Sequence, residues 1–280
     1  MMKRLIFLVF SLLFAMTTHA QGYIVRSPEA VYLGAVLETR AFESGRQDLL
    51  TITPDAITAI IPTFLNQPAT FVANRGEMMK YVEASVAKRK TKGQTMGFRF
   101  SIKRVSDLSE LEQDARLYGW SMSAIRTTKK TLVRIDLTHI LFSIVMDLPQ
   151  GGILHPKDKN IHARAAELLY VSSIDFGRMT SILLASDATF AELKGAFEAL
   201  VKEVIDQKPM TPRAKAVLSS ASCHASIWLG SEYKSAHPNL PLRDILTCSA
   251  KPLSKSDYGT PILFHLRHLH DHGGYQGGQG

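Results

Sequence analysis

The side chains best equipped for chemistry lie near the end of the chain. His265, His268, His270 and His272 crowd a terminal strand and its exit, where alternate residues share a face, a spacing open to Zn²⁺ or Cu²⁺. Histidines on an exposed terminal strand are more often simply solvated, and no metal is expected. Asp136 and His139 are three apart in an apolar, β-branched run, so on a strand they face opposite sides and form no acid–base pair. Neither G-x-S-x-G nor H-E-x-x-H occurs, and no Cys–His pair has an orienting acid. No enzyme and no cofactor are expected. Cys223 and Cys248 lack metal-site spacing and a catalytic partner. In an oxidising compartment they could close a disulfide worth ~3 kcal/mol or stand as two separate thiols, and both readings stay open.

Periodicity supplies the elements that would carry these residues. Val31–Leu37 and Leu49–Thr53 read as strands, with a turn at Pro54-Asp55. Asn74 caps a helix from Glu77 to about Lys88, with Met78, Met79, Val82 and Val86 at helical spacing. Met96–Val105 alternates as a strand, Ser106 or Asp107 can start a short helix, and Leu132–Leu148 is a long β-rich run. Ile174–Ser186 reads as a strand. Thr189 and Glu192 then have capping-box spacing, opening a helix with Phe190, Leu193, Phe197, Leu200, Val201, Val204 and Ile205 on one face. Pro209 and Pro212 end it. Val217–Leu229 alternates as a strand, a short helix covers Leu242–Leu246, and Ile262, Phe264 and Leu266 mark a final strand. Residues 272–280, rich in glycine, are expected to be a flexible tail.

The N-terminus has its own pattern. Lys3-Arg4, an apolar run from Leu5 to Met16 and a polar exit ending at Ala20 are the three regions of a secretory signal, residues 1–20. The run is too short for a comfortable membrane-spanning helix. The chain of 280 residues is 45% hydrophobic and 21% charged, which excludes disorder and a multi-span membrane protein. Its formal charge of +8 falls to +6 once Lys3 and Arg4 are removed. The basic residues are scattered and do not interleave with aromatics, so no nucleic-acid partner is expected.

Six segments in order resemble the cholesterol-dependent (thiol-activated) cytolysins. Tyr170-Val171-Ser172-Ser173-Ile174-Asp175-Phe176-Gly177-Arg178 resembles that family's V-S-x-V-x-Y-G-R strand, and Ala196-Phe197-Glu198-Ala199-Leu200-Val201-Lys202 its A-A-F-x-A-L-I-K helix. Ser226-Ile227-Trp228-Leu229-Gly230-Ser231 is similar to its V-V-L-G-G strand end. Thr260-Pro261-Ile262-Leu263-Phe264-His265 with Leu269-His270-Asp271 is similar to its Y-P-I-S-Y-T…F-L-K-D strand. Upstream, Val31–Leu37 and the Lys129–Pro149 stretch resemble the family's opening and the segment ahead of its V-S-x-V strand.

The resemblance implies an α+β fold, a bent, twisted antiparallel sheet of the MACPF/cytolysin type flanked by two helical clusters. It divides the chain into an elongated upstream portion with the first part of the sheet domain (21–170) and a pore-forming core (171–271), with clusters at 187–222 and 236–259. It implies a secreted toxin-like protein that forms a homo-oligomer on a target lipid membrane and refolds helical clusters into the β-hairpins of a barrel. The residues expected to enter the membrane are Phe190, Leu193, Phe197, Leu200, Val217, Ala221, Ala225 and Ile227, then Leu242, Ile245, Ile262 and Phe264. Phe176, Gly177 and His268 are expected at the subunit contact, and Gly230 at the hinge of an edge strand. The family's C-terminal cholesterol-binding sandwich has no counterpart in the sequence, so cholesterol is not supported as receptor. Two further readings are a truncated cytolysin needing a second protein component and a non-lytic secreted adhesion or interaction protein on the same scaffold.

Overall fold

The computed structural model describes residues 22–26, 28–64, 67–89, 97–107, 109, 111–112, 129–148, 153, 157–228, 233–236 and 241–277; the expected leader and Gly230 lie outside them. In chain order the elements are β1 (Tyr23–Ile24), β2 (Val36–Glu38), α1 (Thr39–Glu43), β3 (Ala56–Ile60), β4 (Ala69–Val72), α2 (Arg75–Lys88), β5 (Gly97–Arg104), β6 (Thr131–Met146), α3 (Lys159–His162), β7 (Leu168–Ser186), α4 (Phe190–Asp206), α5 (Pro212–Ser219), β8 (Ser222–Trp228), β9 (Tyr233–Ala236), α6 (Leu242–Ala250) and β10 (Thr260–His268). The chain forms two units, one of Met1–Ser85, Ile144–Ile174 and Leu263–Gly280, the other of Val86–Ser143 and Asp175–Ile262. The expected boundary between residues 170 and 171 falls inside β7. Both β6 and β7 are continuous strands that contribute residues to both units, so no cut along the chain separates them.

In the first unit β1 pairs antiparallel with β10, β2 with β7, and β3 with β4 and the end of β6. Asn74 starts α2 as expected, its side-chain oxygen accepting from the Glu77 N–H at 2.9 Å. The strand expected over Val31–Leu37 is confined to β2, because Gly34 turns the chain at φ +81° and donates its N–H to the Val171 carbonyl at 2.9 Å. Leu49 keeps only an isolated bridge to Leu37. The tail is also corrected over 272–277. Tyr275 is buried, packs 5.9 Å from Phe42, and donates its hydroxyl to Glu43 at 3.1 Å. Its N–H reaches the Leu266 carbonyl, and the Tyr23 hydroxyl donates to the Gly277 carbonyl at 2.7 Å. One aromatic ring supplies the buried area that the glycines lack.

In the second unit β5 pairs with β6, from Gly97 opposite Ile140 to Arg104 opposite Val133. β6 lies beside β7, β7 pairs with β8, and β8 with β9. Here α4 carries the capping box read from the sequence: the Glu192 N–H donates to the Thr189 hydroxyl at 3.3 Å, and the Thr189 N–H to the Glu192 carboxylate at 3.0 Å. Gln207, at φ +58°, ends it. Pro212 does not terminate that helix; it is the first residue of α5, behind the Thr211 cap, where a missing N–H costs nothing. The strand expected from Val217 therefore begins only at Ser222.

Gly177 and Gly259 set the closest backbone approach in this unit. A Cβ on Gly177 would stand 2.0 Å from the His139 carbonyl oxygen, and one on Gly259, at φ +77°, 2.5 Å from the Gly177 carbonyl oxygen. Gly177→Ala is expected to cost about 3 kcal/mol or prevent folding, and Tyr275→Ala about 3 kcal/mol, both read by denaturant unfolding. A wild-type midpoint for Tyr275→Ala would return residues 272–277 to the status of a loose tail.

Candidate functional site

The candidate site lies within the second unit, where two helices are held between two paired strands. β7 and β8 are antiparallel neighbours, with Leu184 opposite Cys223 and Ala185 opposite Ser222, and the chain joining them is residues 187–221. In that chain α4 turns one stripe inward. Leu193, Phe197, Leu200 and Val201 are buried against Val133, Ile135 and Leu137 of β6, Ile182 and Leu184 of β7, Ala225 of β8, and Ile245 and Leu246 of α6. Charged groups flank this stripe, exposed at Glu192 and largely buried at Glu203. Glu192 receives Arg213 of α5 at 2.9 Å, and Glu203 takes Arg243 of α6 at 3.1 Å. Such pairs orient the helices more than they stabilise them.

A second set of contacts fixes α6 to the central strands. The Thr180 and Ser249 hydroxyls lie 2.7 Å apart and buried, and the Ser249 hydroxyl donates to the Ile245 carbonyl. The buried ring of His139 on β6 donates through Nδ1 to the Ser249 carbonyl at 3.0 Å. Just beyond α6, Arg178 donates to the Lys251 carbonyl and to the Asp257 carboxylate at 2.8 Å, while Lys251 Nζ reaches the same carboxylate at 2.9 Å. Burial pushes the Asp257 carboxyl up, but the hydrogen bonds and charges of Lys251 and Arg178 outweigh it and hold the group below the usual aspartate range.

The expected membrane residues divide into three groups. Leu193, Phe197, Leu200, Ala225 and Ile245 meet in the core just described, with Phe190, Val217, Ala221 and Leu242 packed against it. Ile227 is half-buried on β8, and Val217 sits on α5 rather than on a strand. Ile262 and Phe264 are already strand residues of β10, both buried, with Phe264 among the aromatics of the first unit 5.9 Å from Phe42. The segment 236–259 joins β9 to β10, whose neighbours are β1 and β7. It therefore cannot return as the second arm of a hairpin, which needs adjacent antiparallel strands at both ends. Residues 105–130, most of them outside the described residues, do join such neighbours, β5 and β6.

Of the expected contact residues, Phe176 is fully buried and stacked on Phe142 at 4.9 Å, and His268 is half-buried on β10 beside His270 and Tyr275. Cys223 and Cys248 are free thiols, one half-buried and one exposed, so the alternative without a disulfide is the one this structure takes. Among the described residues no cluster of three His, Cys, Asp or Glu side chains could hold a metal, and no helix is long and apolar enough to cross a membrane, which bears on helices only. The α6 contacts escaped sequence analysis, although buried polar residues inside apolar strands, His139 and Thr180, were their available signal.

No protein-family model matches the chain, and no curated protein sequence matches it significantly. Solved structures do. Pneumolysin superposes with a TM-score of 0.71 at 17% identity over 91% of this chain. A non-hemolytic pneumolysin from Streptococcus pneumoniae strain ST306 gives 0.71 at 15% over 91%, and the human-specific toxin intermedilysin 0.70 at 14% over 91%. The chain has the cholesterol-dependent cytolysin fold. It spans about 60% of the length of each of these cytolysin chains.

The carboxylate that closes the α6 clasp makes this part of the cytolysin fold sensitive to acid. Because Asp257 is held below its ordinary value of 3.8, its contribution is present above that pH and is lost as pH falls through the depressed value. Asp257→Asn is expected to lower the melting temperature at pH 7 and to flatten its decline below pH 4. Parallel wild-type and mutant curves over that range would show the carboxylate to be energetically silent.

Proposed function

We propose that the chain is an exported cytolysin-like protein that assembles with copies of itself on a lipid membrane and carries residues 187–221 across it as a β-hairpin of a shared barrel. The single observation that carries this reading is the register of β7 on β8. Continued past Ala185–Ser222, it would pair Ala191 with Ala216, Leu193 with Ala214, Gly195 with Pro212 and Phe197 with Met210. Over these pairs the face is apolar; it turns polar at the base, at Asp187, Ser220 and Thr189, and beyond Phe197, at Lys208 and Asp206. The other would pair Phe190 with Val217, Glu192 with Lys215, Lys194 with Arg213 and Glu198 with Pro209. Charge gathers there, as a water-filled lumen requires. In this register the chain reverses between Glu203 and Val204, and each arm runs nine residues or more before that turn, enough for the ~9–11 that a tilted strand needs to span the hydrocarbon. Pro209 and Pro212 are the weak points, each removing a ladder donor.

This register sorts the expected residues anew: Leu193 and Phe197 would face lipid, while Phe190, Leu200 and Val217 would face the lumen. A hairpin in lipid needs closure into a barrel, which supports assembly. Assembly in turn needs a free strand edge. β9 covers the β8 edge, and its removal is the step the Gly230 hinge would serve. The leader pattern read in residues 1–20 supports export. A non-lytic role on the same scaffold is favoured by one observation, the equal likeness to a non-hemolytic pneumolysin.

Gly195 allows a clean test. It sits exposed in α4, and a Cβ added there would meet nothing within 4 Å, so Gly195→Arg should stabilise the helix by ~0.5–1 kcal/mol. On the hairpin it would put a cation in lipid. Dye release from liposomes should fall at least about tenfold in Gly195→Arg, given ~2–4 kcal/mol for a cation at the bilayer midplane, and stay within about threefold in Lys194→Glu. Equal activity of both variants would refute the hairpin, and absence of release or oligomers with wild-type protein on every bilayer tried would favour the non-lytic role.

A further inference from the structure

Helix α6 is fastened by groups that include one titratable ring. We infer that His139 is an acid-released latch: while neutral it holds α6 on the central strands, and its protonation frees the helix. The geometry is specific. The Ser249 carbonyl can only accept, so the bond at 3.0 Å places a proton on Nδ1 in either charge state, and the titrating proton is the one on Nε2. That ring is 4% exposed, deep in the second unit. A second proton would add a full charge at a site walled by Phe98 of β5, whose ring lies edge-on at 5.7 Å, and by the buried Thr180–Ser249 pair.

The neighbouring charges act in the same direction. β7 presents the Arg178 guanidinium, and the segment after α6 brings Lys251 with the Asp257 carboxylate, already shared between those two cations. On its own strand the nearest carboxylate, Asp136, is paired with Arg134 at 2.9 Å. Burial therefore pushes His139 down, the bond to Ser249 pulls partly back, and Arg178 pushes it down again, leaving it below its ordinary 6.5. The sign follows from linkage. The clasp is at full strength above the released-state value of about 6.5 and weakens as pH falls from there toward the depressed value, below which no more is lost.

Releasing α6 has a local consequence. The helix follows β9 in the chain, and β9 covers the edge of β8, so a freed α6 removes the downstream anchor of that edge strand. This consequence, and only this, rests on the assembly reading above.

The test uses the full chain in solution, without lipid, so that its outcome is independent of pore formation. Amide hydrogen exchange of 242–250, corrected for the intrinsic pH dependence of exchange, is followed from pH 7.5 to 4.5. Exchange in wild type should rise below pH 6.5 by up to about tenfold for each pH unit separating the two states' titration midpoints. In His139→Gln, whose amide can still donate to the carbonyl but does not titrate, it should stay flat. If the variant does not fold, an NMR titration of the wild-type ring decides: a midpoint below 6.5 accompanied by α6 opening supports the latch. Equal pH profiles in wild type and variant, or a ring that titrates while α6 stays closed, would overturn it.

Discussion

Leu184 faces Cys223 and Ala185 faces Ser222 across one antiparallel ladder, and everything proposed for the 187–221 segment depends on that ladder. Its two ends are hydrogen-bonded neighbours before any refolding begins. The arms of a hairpin are thus prepaired at their base, and lengthening them needs no new search through space, only continuation of an existing register. The same ladder dictates the parity of each added residue, since a one-residue slip would exchange its two faces.

What keeps the segment helical in water is also legible in physical terms. As α4 it buries Leu193, Phe197, Leu200 and Val201 against the strands and α6, satisfies its first turn through Thr189 and Glu192, and pairs its one largely buried carboxylate, Glu203, with Arg243. Extended in water, Leu193 and Phe197 would lie on a face with nothing to cover it. The helix is therefore favoured by burial. On the proposed hairpin in lipid the balance would reverse: the apolar face would need no cover, while the backbone would have to be paired on both sides. The interior glycine of α4, costly in a helix and demanded by no contact, is consistent with a segment that is not optimised for one conformation.

The clasp on α6 works by a different principle. Its hydroxyls, imidazole, guanidinium and carboxylate contribute little net stability while satisfied, but each becomes expensive if one partner is lost. Buried polar contacts of this kind hold firmly and fail abruptly. Apolar packing around Ile245 and Leu246 supplies area, whereas the polar groups specify where the helix sits.

The sequence by itself determined the elements whose signals are local. The capping box at Thr189–Glu192, the stripe through Phe197 and Leu200, the alternation of β5, the β-rich run of β6 and the cap at Asn74 are set by neighbours within a few residues, and they stand where the pattern put them. The family motifs carried the fold class. Other features waited on tertiary structure, because they depend on residues far apart in the chain. Pro212 reads equally as a stop or a start until Thr211 is seen to cap the helix it opens. Tyr275 looks like part of a glycine tail until Phe42 and Tyr23 surround it. Which helical segments lie between paired strands, and which merely connect distant ones, is a property of sheet order, and sheet order is absent from any local pattern. The clasp around Ser249 joins β6, β7 and α6 over 69 to 110 positions of chain, a distance at which only the folded core decides what meets.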